Sequence, residues 1–346
     1  MLSHPLTAAL ALAVSLSSVG CAHEVAANSP HGPARPGLSA LAAALRDDAR
    51  GKLGVVRPSA EPRTPAAVLG RKLFFEPRLS ADGNVSCFGC HLTELGGGDG
   101  RAKSIGVHGK EMPRNAPTIF NVGLQQLQHW RAERESLEVQ ASRALLGPAS
   151  FGNRDETAAV RRLRDAGYEA EFARAFPGEQ PALTLANFGK AVAAYERSLT
   201  TPGRFDAFLS GDDAALAASE QRGLRTFLEL GCAGCHSGPG LGGEQLRKFG
   251  IVKPYAAATH VPKPDPGRFE LTQAASDRFV FKVPQLRNVA SSGPYFHDGS
   301  VAELSDAVRI MAEVQLGQGL AEAQLAELVA FLRALSGPAP AWFSAP

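Results

Sequence analysis

Hydrophobic residues recur with helical spacing along several stretches of the chain. Residues 64–75 carry a threonine and a proline ahead of an apolar face, which is typical of a capped helix start. Residues 320–335 carry one apolar stripe, made by Leu325, Leu328, Val329, Leu332 and Leu335. Helical spacing also predicts helices over 38–53, 156–176, 184–199, 214–230 and 301–314. Residues 237–300 are rich in Gly, Pro and Ser, so we expect mostly loop there, and no alternating stretch is long enough to indicate a sheet. The pattern predicts a mainly helical fold.

The N-terminus has the pattern of an export signal. An apolar run from Leu6 to Leu16 precedes small residues and Cys21, and it is too short to span a bilayer. The four residues 18–21 are similar to a lipoprotein cleavage box, in which Cys21 becomes the lipidated first residue. We therefore expect a signal peptide over 1–21, a tether over 22–60 and a periplasmic protein, with a lipid anchor at Cys21 as an open alternative.

Length and charge narrow the classes of function. The chain has 346 residues, which is long enough for two domains. Its 36 basic and 34 acidic residues give a net charge of +2, and no basic cluster is present. A chain with so little net positive charge is not expected to bind nucleic acid.

The cysteines give the strongest chemical signal. Apart from Cys21, all of them belong to two CxxCH motifs, which are Cys87, Cys90 and His91, and Cys232, Cys235 and His236. This spacing lets two thioethers hold a haem while the histidine binds its iron. A zinc ribbon, a redox CxxC pair or local disulfides would leave the repeated histidine unexplained. The similar segments LGRKLFFE and RGLRTFLEL precede the two motifs, so we expect two related haem modules.

The residues alone leave alternatives open for the sixth iron ligands. Once Met1 has been removed, only Met112 and Met311 remain as thioether donors. Met311 lies on a predicted helix after the second CxxCH motif, where it either packs in the core or binds the second iron. His108 and Met112 lie in a predicted loop after the first motif, and each is either a movable ligand or an ordinary surface residue.

The chain resembles the bacterial di-haem cytochrome c peroxidases. The resemblance spans about residues 64–337 and rests on motifs that occur in the family's order, namely LGRKLFFEPRLS, SCFGCH, GGGDG, PRNAPT, LEVQA, CAGCH, FKVPQLRNV, PYFHDGS and AVRIMAEVQLG. It implies two cytochrome c-like helical domains with long irregular loops. The N-terminal domain, over 61–203, would hold the peroxidatic haem, and the C-terminal domain, over 204–346, the electron-transfer haem.

The resemblance also implies roles for individual residues. His91 and His236 match the family's proximal ligands, and Met311 matches the methionine that completes the electron-transfer haem. Trp130 matches the tryptophan between the two haems, and Gln140 matches a glutamine of the peroxide pocket. These matches imply that electrons from a small cytochrome c or cupredoxin enter at the second haem and that hydrogen peroxide is reduced to water at the first.

A calcium site is implied in the same way. Asn115, Ser292 and Pro294 match the family's calcium ligands at the domain interface, and hard oxygen ligands suit that ion. His297 matches a residue near the second haem, where we expect it to be structural or to orient neighbouring groups. A homodimer is also implied by the resemblance.

The chain departs from the family pattern at the peroxidatic site. Val107 occupies the position of the family's distal histidine, and His108 follows one residue later. Ser150 stands where the family has an acid/base glutamate, and serine does not transfer protons as a carboxylate does. The family's Asp-Gly-Arg after the tryptophan is replaced by residues 131–133. Candidates for the missing acid/base group are Glu156, Asp155, Glu133 or a water molecule held by Gln140.

Three functions follow from these expectations. The first is a di-haem peroxidase that reduces hydrogen peroxide. The second is a di-haem enzyme that oxidises a partner protein, like the enzyme that matures methylamine dehydrogenase, which differs in lacking the methionine that Met311 matches. The third is a non-catalytic electron carrier with His108 or Met112 bound permanently to the first iron, and the change to Ser150 favours it.

Overall fold

The computed structural model describes residues 38–346, which are mainly helical. The predicted signal peptide, Cys21 and residues 22–37 lie outside the described residues. The helices are α1 Leu38–Leu53, α2 Pro65–Phe74, α3 Leu137–Leu146, α4 Glu156–Asp165, α5 Glu169–Ala175, α6 Leu185–Glu196, α7 Arg204–Leu209, α8 Ala218–Glu229, α9 Tyr255–Ala258, α10 Phe269–Thr272, α11 Leu304–Leu316 and α12 Glu322–Ala334. Two short strands, β1 Leu246–Lys248 and β2 Val280–Lys282, pair antiparallel.

Local sequence explains where several helices begin and end. The side chains of Thr64, Ser136, Asp155 and Thr184 cap α2, α3, α4 and α6 by accepting hydrogen bonds from backbone N–H groups. The predicted helix over 156–176 is instead divided into α4 and α5. Gly167 adopts a φ of 86° there, in the left-handed region that ends a helix.

The segment 237–300 is mostly irregular, as predicted, but it contains a sheet that the pattern did not indicate. Strands β1 and β2 are only three residues each, with Arg247 opposite Phe281. Strands this short carry no readable alternation.

Two large hydrophobic clusters hold the fold together. The first contains apolar residues of α2, α3 and α6 and also Phe343 near the C-terminus. The second contains residues of α7, α8 and α12 together with Ala42, Leu45, Ala49 and Leu53 of α1. The second half of the predicted tether therefore includes a helix that is packed in the core.

The two segments that precede the CxxCH motifs pack in the same way. A Cβ atom on Gly70 of α2 would lie 1.9 Å from the Ala191 carbonyl oxygen of α6. A Cβ atom on Gly223 of α8 would lie 1.9 Å from the Glu327 carbonyl oxygen of α12. Each glycine thus allows two helices to cross closely, which agrees with the predicted internal repeat.

Candidate functional site

The first CxxCH motif presents a half-buried histidine, and one of its ring nitrogens already has a hydrogen-bond partner. Nδ1 of His91 lies 2.9 Å from the Gly97 carbonyl oxygen. Because a carbonyl only accepts hydrogen bonds, Nδ1 carries the proton and Nε2 keeps its lone pair. Burial lowers the pKa of His91, which also favours the neutral imidazole. Cys87 precedes a 3-10 turn that ends at Cys90, and neither cysteine forms a disulfide within residues 38–346.

The second motif repeats this arrangement. Nδ1 of His236 lies 3.2 Å from the Leu241 carbonyl oxygen, and burial lowers the pKa of this histidine too. The side chains of Cys232, Cys235, His236 and Met311 line one cavity of about 280 Å³. Met311 is contributed by α11. His236 and Met311, the predicted ligand pair of the second haem, therefore lie at one cavity, and in each motif the hydrogen bond at Nδ1 leaves the lone pair on Nε2.

Trp130 lies on the wall of the same cavity. Its Nε1 atom donates a hydrogen bond of 2.9 Å to the Asn115 carbonyl oxygen. Its own carbonyl oxygen accepts a bond of 2.7 Å from the backbone nitrogen of Lys282 in β2. Trp130 is thus held through its indole by the segment after the first motif and through its backbone by the strand after the second.

The three predicted calcium ligands also line this cavity. Asn115 is 7% exposed, and its backbone N–H and side-chain Nδ2 donate to the carbonyl oxygens of His297 and Arg101. Ser292 and Pro294 line the cavity with it. Within residues 38–346, no three His, Cys, Asp or Glu side chains are grouped to hold a metal ion. A cation here would therefore depend on amide, hydroxyl and backbone oxygens, which calcium accepts.

The loop over 104–112 packs against the turn that contains Ser150. The backbone N–H of Val107 donates a hydrogen bond of 2.9 Å to the Ser150 carbonyl oxygen. The loop begins at Ser104, which neighbours Cys90 of the first CxxCH motif. Burial raises the pKa of the Cys90 thiol, and the Ser104 hydroxyl acts in the opposite direction. Val107 and Ser150, two of the positions that depart from the family pattern, are therefore neighbours.

His108 and Val107 have opposite environments. The His108 side chain is 59% exposed, and its backbone N–H donates a 2.8 Å hydrogen bond to Asp82 Oδ2. Val107 is fully buried. Met112 is half-buried. Gln140, on α3, has a buried Oε1 atom with no hydrogen-bond partner among the described residues.

The candidate substitutes for the missing glutamate have other partners. Asp155 caps α4 by accepting a 2.8 Å hydrogen bond from the Ala158 nitrogen. Glu133 accepts hydrogen bonds from His129 and Arg131, and these partners hold its pKa far below the usual range despite its burial. Glu156 lines a separate surface cavity beside α4.

Sequence reasoning missed several buried charged residues, and Lys282 and Glu196 are two of them. Lys282 is 4% exposed and lines the cavity of the second motif. Glu196, on α6, is 6% exposed, and burial raises its pKa to about 8. A signal for Lys282 was present, because it interrupts the apolar run Phe281 to Val283, where a charge has to be buried or paired.

Comparisons with known proteins agree with this arrangement. Residues 64–214 match the family model for di-haem cytochrome c peroxidase. The cytochrome c551 peroxidase of Pseudomonas aeruginosa is 40% identical over 273 residues, which cover 79% of this chain and 79% of that protein. This chain belongs to the di-haem cytochrome c peroxidase family. It is thus a peroxidase-like oxidoreductase, and the family's haem cofactors fit the histidines of the two CxxCH motifs.

Two further members show how broad the similarity is. The methylamine utilization protein MauG of Methylorubrum extorquens is 34% identical, over 76% of this chain and 73% of that protein. The crystal structure of a MauG-like protein associated with microbial copper homeostasis superimposes with a TM-score of 0.72 at 31% identity, covering 84% of this chain and 97% of that one. Both results agree with the expected helical di-haem architecture.

Proposed function

We propose that this di-haem peroxidase is exported to the periplasm, carries two covalently attached haems and reduces hydrogen peroxide with electrons from a small cytochrome c or cupredoxin. The observation that carries the proposal is the doubled CxxCH motif, in which each histidine has Nδ1 hydrogen-bonded to a carbonyl oxygen. We propose domain boundaries at 61–203 and 204–346, since the two hydrophobic clusters divide between Leu199 and Phe205, apart from α1 and the C-terminal segment around Phe343.

Each haem would be held by residues of one motif. Cys87 and Cys90, or Cys232 and Cys235, would supply the thioethers, and the following histidine would bind the iron through Nε2. Haem iron, when bound, supplies the one-electron oxidation and reduction that no amino-acid side chain here provides. Met311 would add a soft thioether on the second site, which favours a high reduction potential.

The peroxide side would be served by Gln140 and the two neighbouring loops. The free Oε1 of Gln140 can accept a hydrogen bond from hydrogen peroxide or from a water molecule. Ser150 offers a hydroxyl in place of a carboxylate, so we propose that a water molecule oriented by Gln140 moves the proton. The exposure of His108 supports a first site that is open in at least one oxidation state.

The partners and cellular location follow from the resemblance and the N-terminal sequence. We propose a homodimer, a calcium ion bound by Asn115, Ser292 and Pro294, and attachment to a membrane through lipid at Cys21. In the part of the chain described by the structure, none of the helices is long and apolar enough to cross a bilayer.

A non-catalytic electron carrier is the second candidate, and Ser150 is the observation that favours it. Losing a positioned general base typically costs about 100-fold to 10,000-fold in rate. A partner-oxidising enzyme is a third candidate, which the similarity to MauG favours.

Steady-state consumption of hydrogen peroxide by the haem-loaded protein, with a reduced small cytochrome as donor, separates these candidates. We expect turnover in the wild type and a loss of at least about 100-fold in Gln140→Leu. Gln318→Leu is the matched control, because Gln318 is exposed beyond α11. Absence of turnover in a wild type that carries both haems would favour the carrier. Turnover that appears only when an oxidisable partner protein is supplied would favour the third candidate.

A further inference from the structure

Lys282 is a buried lysine at the junction of the two CxxCH-bearing halves. It is the last residue of β2, it is 4% exposed, and its backbone N–H donates to the Trp130 carbonyl oxygen. Its side chain lines the cavity that also contains Cys232, Cys235 and His236. Most of the other side chains around that cavity are apolar, so few polar protein groups can solvate the ammonium.

The ammonium of Lys282 has no carboxylate partner among the described residues. Its Nζ donates a hydrogen bond to Gln125 Oε1, which leaves two of its three N–H donors without a protein acceptor. Glu133 is close enough to act on it electrostatically, but that carboxylate already accepts from His129 and Arg131. Burial without a counter-ion lowers the pKa of Lys282 to about 8.

An isolated buried cation costs several kcal/mol, so a protein rarely keeps one without an anion nearby. The cavity beside Lys282 is the expected place of a haem, and haem carries two propionate carboxylates. These groups cannot be buried among apolar side chains without a partner either. The two unpaired charges would therefore compensate each other.

We propose that Lys282 binds a propionate of the haem attached at Cys232 and Cys235, with Gln125 orienting the ammonium. This inference rests on the proposed function, because it requires a haem in that cavity. Lys282 is thus a positioning and charge-setting residue of the second haem site. Its positive charge disfavours the ferric state and raises the reduction potential of that haem.

The test is the midpoint potential of each haem, measured by spectroelectrochemical titration of the haem-loaded protein. We expect Lys282→Met to shift the electron-transfer equilibrium of the methionine-ligated haem by at least tenfold towards ferric, a fall of about 59 mV for one electron. The other haem should change less than threefold. Lys248→Met is the matched control, because Lys248 is exposed on the adjacent strand β1.

A second variant, Lys282→Gln, keeps the test decisive if the Lys282→Met protein does not fold. Lys282→Gln keeps hydrogen-bonding capacity and removes the charge, and the proposal requires the same direction of shift. An unchanged potential in either folded variant, or a shift confined to the other haem, would overturn the inference. If both haems are attached and peroxide turnover persists while the potential is unchanged, the inference fails and the proposed function stands. A wild-type protein without haem absorption would contradict both the inference and the proposed function.

Discussion

The contact between the 104–112 loop and the Ser150 turn can be tested by a single methyl group. Gly106 is buried in this contact. A Cβ atom on it would lie 1.9 Å from the Ala149 carbonyl oxygen and 3.0 Å from the Ser150 carbonyl oxygen. Carbon and oxygen atoms normally approach to about 3.3 Å, so Gly106→Ala requires the two segments to separate by more than about 1 Å. That movement breaks the 2.9 Å hydrogen bond from Val107 to Ser150.

The cost of this change can be estimated from its two parts. Overpacking costs about 1–3 kcal/mol, and the lost hydrogen bond about 1 kcal/mol, which together give roughly 2–4 kcal/mol of unfolding free energy. A displacement of about 1 Å beside a reacting centre can reduce turnover about 100-fold. We therefore expect Gly106→Ala to lose about 100-fold in peroxide turnover while both haems remain attached.

The assay is steady-state peroxide consumption, combined with chemical unfolding and the potential of the second haem. Gly51→Ala is the matched control, because a Cβ atom on Gly51 of α1 would meet nothing within 4 Å. The second haem should keep its potential in both variants. Turnover within threefold of the wild type, in a Gly106→Ala protein that is destabilised as expected, would refute the idea that this contact shapes the peroxide site.

Three further predictions concern other parts of the molecule. Asp206→Asn leaves the fully buried guanidinium of Arg287 without its counter-ion. We expect urea unfolding to show that the free energy of unfolding falls by about 3–5 kcal/mol, compared with less than about 0.5 kcal/mol for the exposed control Asp47→Asn. Met311→Leu should lower the reduction potential of one haem, because thioether ligation raises it, whereas Met112→Leu should leave both potentials unchanged in redox titrations. Burial raises the pKa of Glu196 to about 8, so the folded protein holds this proton more tightly than the unfolded chain does. The free energy of unfolding should therefore fall as pH rises from about 4.5 to about 8, and urea titrations at both ends of that range should show that Glu196→Gln removes this fall.

Local signals made much of the helical fold predictable. Thr64 and Thr184 each cap a helix, and the apolar stripe of 320–335 became α12. The pattern reveals which face of a helix is apolar but not what covers it. It therefore gave no indication that α1 packs against α7 and α8, or that Phe343 reaches the first hydrophobic cluster.

The candidate site also has features that the sequence predicts and features that it does not. The CxxCH motifs are readable because the two thioethers and the histidine lie within five consecutive residues. The grouping of Asn115, Trp130 and Met311 around one cavity depends on tertiary packing of segments almost 200 residues apart, and only the family resemblance suggested it. Burial of Lys282 also depends on tertiary packing, although the apolar residues on either side of it in the sequence indicate a buried segment.

The electron paramagnetic resonance spectrum of the haem-loaded protein, recorded oxidised and after one-electron reduction, tests the central claim most directly. If Met311 and His236 ligate one iron and the other can admit peroxide, one-electron reduction should leave a high-spin ferric signal, and hydrogen peroxide should abolish it. Low-spin ferric signals in both states, unchanged by hydrogen peroxide, would contradict a peroxidase and identify an electron carrier.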